Sequence, residues 1–169
     1  VDQVTSDSGN AGGLVGSVTD GSIQLKEQGT AFSFADTLTV KAESKLAAGG
    51  LIGYWLVTKG DAVSCNLSDY QFKKLVISGG QDAGGLFGLL ENTSTAKTAI
   101  SISANTANTA NTANTMTAEV SGPVTNFGGI IGTYQSDKMN NTLAVKGESD
   151  KAIDASTSGG TNVNSFYGG

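Results

Sequence analysis

The chain has no histidine, no arginine, one cysteine and one proline in 169 residues. Each shortage excludes something. Without histidine, the commonest acid–base group and the commonest metal ligand are missing. Without arginine, so is the planar fork that grips phosphates and base edges. All ten basic residues are lysines, and the net charge is −5. That balance disfavours nucleic acid and anionic membranes. The single Cys65 rules out an internal disulfide and a thiolate metal cluster. Its place in the alternation Val63, Cys65, Leu67 marks a small buried hydrophobe rather than a nucleophile. No apolar run is long enough to cross a membrane, so no membrane insertion is expected. No cofactor or metal is expected either.

Glycine is abundant, at 24 residues, and it is ordered into a motif. Gly-Gly-aliphatic-apolar-Gly occurs as Gly12, Gly13, Leu14, Val15, Gly16 and again as Gly49, Gly50, Leu51, Ile52, Gly53. It returns as Gly84, Gly85, Leu86, Phe87, Gly88 and as Gly128, Gly129, Ile130, Ile131, Gly132. A fifth copy opens at Gly168-Gly169. The first glycines lie at 12, 49, 84, 128 and 168, giving spacings of 37, 35, 44 and 40. A repeat of this period signals an array, here divided as 12–48, 49–83, 84–127 and 128–167. The expectation is a segment of a longer array whose ends are compatible for end-to-end stacking, with itself as partner.

Each motif is followed by two alternating segments. The first set is 22–26, 62–67, 99–103 and 142–146; the second is 37–41, 74–78, 117–120 and 161–164. Period-two alternation marks strands with one buried face, and no window carries a helical period. Three strands per repeat and no helix predict an all-β parallel β-solenoid, or β-helix, of about four coils with three strands per coil. One repeat cannot bury its own apolar face, but a stack can. The expected interior ladders are Leu14, Leu51, Leu86 and Ile130; Leu25, Cys65, Ile102 and Val145; and Val40, Ile77 and Val120.

The motif itself reads as a corner followed by a strand. Its glycines either take positive φ or let backbones approach closely. With Leu14 inward, alternation places Val15, Ile52, Phe87 and Ile131 on the other face, joined by Tyr54 and Leu89. A strand apolar on both faces needs cover on both. Two readings stand: neighbouring loops tuck over these side chains, or Val15, Ile52, Tyr54, Phe87, Leu89 and Ile131 form a lateral contact with another solenoid or domain.

These four motifs resemble the GLUG motif of bacterial surface proteins, named for its Gly-Leu-aliphatic-Gly core. The resemblance covers five residues per repeat, and Ile130 stands where the core has leucine. It implies secreted or surface-anchored adhesins, a parallel β-solenoid, and an extracellular or cell-surface location. It carries over no catalytic residue.

Other candidates are weaker. Residues 105–115 read NTANTANTANT, a period of three that suits neither strand nor helix. The tract reads as an extruded loop or, alternatively, as a contact for host or cell-surface glycans. Asn66, Asn92 and Asn140 head N-glycosylation triplets. The functional expectation is a non-enzymatic structural segment: surface fibre, stalk or adhesin. The alternative is a carbohydrate-binding or polysaccharide-cleaving β-helix, whose site would pair carboxylates brought together by stacking.

Overall fold

The computed structural model describes residues 3–24, 32–33, 37–43, 45–60, 63–66, 70–71, 74–78, 80–95, 99–104, 116–121, 125–128, 131–136, 142–147 and 153–158. Among these residues the chain is all-β. In chain order the strands are Gln3–Ser6 (β1), Ala11–Gly12 (β2), Val15–Thr19 (β3), Ile23–Gln24 (β4) and Phe32–Ser33 (β5). Next are Thr37–Ala42 (β6), Ala47–Gly49 (β7), Ile52–Val57 (β8), Val63–Asn66 (β9) and Tyr70–Gln71 (β10). Then come Lys74–Ser78 (β11), Asp82–Gly84 (β12), Phe87–Asn92 (β13) and Ala99–Ala104 (β14). The last are Met116–Ser121 (β15), Asn126–Gly128 (β16), Ile131–Ser136 (β17), Thr142–Gly147 (β18) and Ile153–Ser158 (β19). No helix among the described residues is long and apolar enough to cross a membrane.

Each sheet collects equivalent strands from successive repeats. The orders are β1-β6-β11-β15-β19, β2-β7-β12-β16, β3-β8-β13-β17 and β4-β9-β14-β18, with β5 and β10 paired separately. Every pairing is parallel. The motif's first glycines fall into one row, Gly12 opposite Gly49, Gly49 opposite Gly84 and Gly84 opposite Gly128. Val40, Ile77 and Val120 form the expected row, and Ile102 lies between Cys65 and Val145.

Three expectations need correction. Each repeat contributes a fourth, short strand, β2, β7, β12 or β16, before the Gly-Gly corner. Ala-Ala-Gly and Asp-Ala-Gly are too short and too poor in β-branched residues to announce one. Second, Ile23, not Leu25, sits opposite Cys65. A shift of two residues preserves the buried face, so alternation could not choose between them. Leu25 lies outside the described residues. Third, the strand that pairs with β15 is Ile153–Ser158 rather than 161–164, which lies outside the described residues.

The core follows from the alternation. Leu38, Val40 and Ile77 are wholly buried on one sheet; Trp55, Val57 and Leu90 are wholly buried on another. The Trp55 and Phe87 rings stack with centroids 6.0 Å apart at 29°. Three buried polar atoms, Trp55 Nε1, Asn92 Nδ2 and the Tyr134 hydroxyl, have no hydrogen-bond partner among the described residues.

Most of the extra length of the long third repeat falls at one place, where the offset between row-mates rises from 37 residues (Cys65 to Ile102) to 43 (Ile77 to Val120). From Cys65 on β9 to its row-mate Ile102 on β14, and from Ile77 on β11 to Val120 on β15, registry is kept on both sides of the NTA tract. The tract itself lies outside the described residues.

Candidate functional site

The feature that recurs is the seam between repeats, built around the glycine corner. In the second repeat, β7 ends at Gly49, the chain bends through Gly50-Leu51, and β8 begins at Ile52. In the second and third motifs one leucine carbonyl receives two N–H groups from the preceding repeat. Leu51 O accepts from Leu14 N at 3.0 Å and Val15 N at 3.1 Å; Leu86 O accepts from Leu51 N at 2.9 Å and Ile52 N at 3.0 Å. The second glycine of each copy donates to the first glycine of the next, as Gly13 N to Gly49 O and Gly50 N to Gly84 O, each at 3.3 Å. Gly85 N donates to Gly128 O at 3.2 Å.

This geometry explains the glycines. Among the described residues, positive-φ glycines are Gly21 and Gly80, not the motif glycines. The motif requires close approach instead. A Cβ on Gly12 would lie 2.7 Å from Gly53 N, and one on Gly49 would lie 2.7 Å from Gly88 N. One on Gly84 would lie 2.5 Å from Gly132 N. The first glycine of each copy therefore faces the last glycine of the next. Gly129 and Ile130 lie outside the described residues.

The candidate lateral residues divide. Ile52 and Phe87 are core residues, 1% and 0% exposed, and cannot form an outer contact surface. The bend, rather than strict alternation, decides this: Leu51 and Ile52 are both buried because the chain turns between them. Tyr54, Leu89 and Ile131 are half-buried. Leu14 and Val15 are each 37% exposed, whereas their row-mates in the second and third copies are buried. Leu14 therefore does not join the buried ladder of Leu51 and Leu86. The difference is that no described strand lies beyond β3 on that side.

Carboxyl and amide groups fasten each described seam. Between the first two repeats, Asp20 accepts from Thr58 N and Thr58 Oγ1, both at 2.7 Å, and from Lys59 N at 3.1 Å. These bonds, the Thr58 amide foremost, hold the Asp20 carboxyl below its ordinary range. Asn10 Oδ1 accepts from Ala47 N at 2.8 Å across the same seam. Between the second and third, the Tyr54 hydroxyl donates to Glu91 Oε2. Burial, reinforced by Glu91, pushes the Tyr54 hydroxyl up to about 12. Between the third and fourth, Asp82 Oδ1 accepts from Asn126 Nδ2 at 2.7 Å and from the Thr133 hydroxyl. These three carboxyl groups are spent on joining repeats, and none of the three pairs with another carboxyl.

The sequence signal for these clamps was available but faint. Asn10, Asp82 and Asn126 all stand two residues before a motif. Trp55, the largest core residue, carries no clear signal in the sequence, because Tyr54 and Leu56 blur the alternation around it.

Asn92 is wholly buried, and its Oδ1 accepts from Ser94 N at 3.1 Å. A glycan on its buried Nδ2 is incompatible with this fold, so the triplet serves as a polar corner at the end of β13. Asn66 lies on β9, and Asn140 lies outside the described residues. No protein-family model, curated protein or solved structure matches the chain.

Proposed function

We propose that this chain is a structural segment of a parallel β-solenoid of about four coils, acting as part of a surface fibre, stalk or adhesin and stacking end to end. The carrying observation is the contrast along one row. Leu14 and Val15 are each 37% exposed, while Leu51, Ile52, Leu86 and Phe87 are 0–3% exposed. The same motif is thus half-finished on one edge and complete wherever another repeat lies beyond it. Among the described residues no strand lies beyond β3 on that side, and an uncovered parallel edge of this kind is a place for a further row to stack.

The role in this reading is mechanical and non-catalytic. Its asset is a backbone ladder plus at least one side-chain clamp at each described seam. Support for a cell-surface location comes from the motif's resemblance and from a low-cysteine composition rich in Thr, Asn and Gly.

The experiment is sedimentation and electron microscopy of the purified chain, beside Val15→Lys. The wild-type chain should form rods that lengthen with concentration. Val15→Lys should keep the β-rich circular dichroism spectrum and stay monomeric, because a charge on an edge strand opposes pairing. A wild-type chain that remains a monomer at all concentrations contradicts the reading.

A further inference from the structure

Asp20-Gly21 is the only Asp-Gly pair in the chain, and there is no Asn-Gly. The fold explains why the pair stands there. It lies between β3 and β4, where the turn drives both residues to positive φ, 57° at Asp20 and 78° at Gly21. Among the described residues Asp20 is the only non-glycine in that region. Asp followed by Gly is a pair that two successive positive-φ positions favour. Gly21 is exposed, and a Cβ built on it would meet nothing within 4 Å. No side chain on Gly21 therefore hinders approach of its nitrogen to the Asp20 carboxyl.

That approach is the first step of aspartate isomerisation. The Gly21 nitrogen attacks Asp20 Cγ and closes a cyclic imide. The carboxyl OH leaves with the amide proton as one water molecule. Water then reopens the ring. Attack at Cγ restores aspartate. Attack at the Asp20 backbone carbonyl keeps the new Cγ–N bond, so the chain runs through Cβ and Cγ as isoaspartate, with no change in mass. The leaving oxygen must carry a proton, so an ionised carboxylate held by donors is the unreactive form. In the closed seam both oxygens are held. Oδ1 accepts from Thr58 N at 2.7 Å and Lys59 N at 3.1 Å, and Oδ2 accepts from Thr58 Oγ1 at 2.7 Å. All three donors belong to the next repeat, and they favour the charged form, the Thr58 amide foremost.

We infer that Asp20-Gly21 is a modification site governed by the seam: it stays aspartate while the first two repeats are joined and converts to isoaspartate when they part. This goes beyond the mechanical reading above and does not depend on it. Isomerisation makes an opening permanent. The isoaspartate backbone is longer by one methylene, and its carboxylate hangs directly from Cα. The bonds to Thr58 and Lys59 then cannot be remade in the same geometry. The added atom also falls in the turn that leads into β4, whose Ile23 pairs with Cys65 two residues beyond Gly21.

The test is the rate at which isoaspartate accumulates at Asp20, followed by peptide mapping after incubation at neutral pH. Four samples are compared: the folded chain, the same chain in urea, Thr58→Val and Thr58→Ser. The folded chain should isomerise at least about tenfold more slowly than the chain in urea, because its hydrogen bonds must be lost first. Thr58→Val removes the hydroxyl donor and should react about three- to tenfold faster than wild type. Thr58→Ser keeps the hydroxyl and should match wild type. Circular dichroism establishes that each variant is folded. Equal rates in the folded chain and in urea overturn the inference. So does a folded Thr58→Val that reacts no faster than wild type. If Thr58→Val fails to fold, the comparison with urea decides alone.

Discussion

The backbone of Gly49 faces that of Gly88 across neighbouring repeats so closely that a Cβ on Gly49 would sit 2.7 Å from the Gly88 nitrogen. Backbone on both sides leaves neither partner free to yield. Gly84→Ala, at the equivalent place, should therefore cost about 3 kcal/mol or more, at or above the usual range for overpacking. Gly9→Ala is the control. Its added methyl would meet only the Ser6 hydroxyl, at 3.3 Å, and should cost under about 0.5 kcal/mol. Urea unfolding midpoints compare the two directly.

Phe87 and Val15 occupy one row but different surroundings. Phe87 is wholly buried against Trp55, so Phe87→Ala should cost about 3–5 kcal/mol. Val15 is 37% exposed, so Val15→Ala should cost less than about 1 kcal/mol. Equal costs in chemical unfolding would mean that the edge row is covered as well as the central one.

The Tyr54 hydroxyl should ionise near pH 12 instead of 10, followed by phenolate absorbance. Glu91→Gln should bring it only part of the way down, because burial is the larger cause. Since the folded value lies above the unfolded one, the associated stability is fully present below pH 10 and is lost as pH rises towards 12. Tyr54→Phe should flatten the stability profile in that window.

Asp20 works with the opposite sign. Its folded value is depressed below 3.8, so its contribution is present above that pH and is lost as pH falls through the folded value. Asp20→Asn should remove this part of the acid dependence in denaturation measured between neutral and strongly acidic pH. An unchanged acid limb would show that the Thr58 and Lys59 contacts do not persist in solution.

Much of the architecture was legible because the motif is rigidly periodic. Gly12, Gly49, Gly84 and Gly128 fall in one row because the same bend recurs in every repeat. Val40, Ile77 and Val120 were legible because alternation on a half-buried sheet is a strong signal. What escaped was finer than period two. Ile23 and Leu25 are two residues apart and equivalent under alternation, so the pattern alone could not select the row. Ile52 and Phe87 break the parity rule because the chain bends just before them, and a residue after a corner takes its direction from the bend. Asp20, Glu91 and Asp82 escaped because a clamp depends on which residues stacking brings together from about forty positions away, beyond the reach of any local pattern.

The most direct test of the stacked, parallel arrangement is a distance between Thr19 and Gln135. Both are exposed and stand at the two edges of one row, with Leu56 and Glu91 between them. Three strand spacings place their Cα atoms about 14 Å apart. Nitroxide labels at Thr19→Cys and Gln135→Cys, in a Cys65→Ala background, should show strong dipolar broadening in the dilute monomer. A mean label separation beyond about 30 Å, roughly twice the spacing that row allows, would contradict the account.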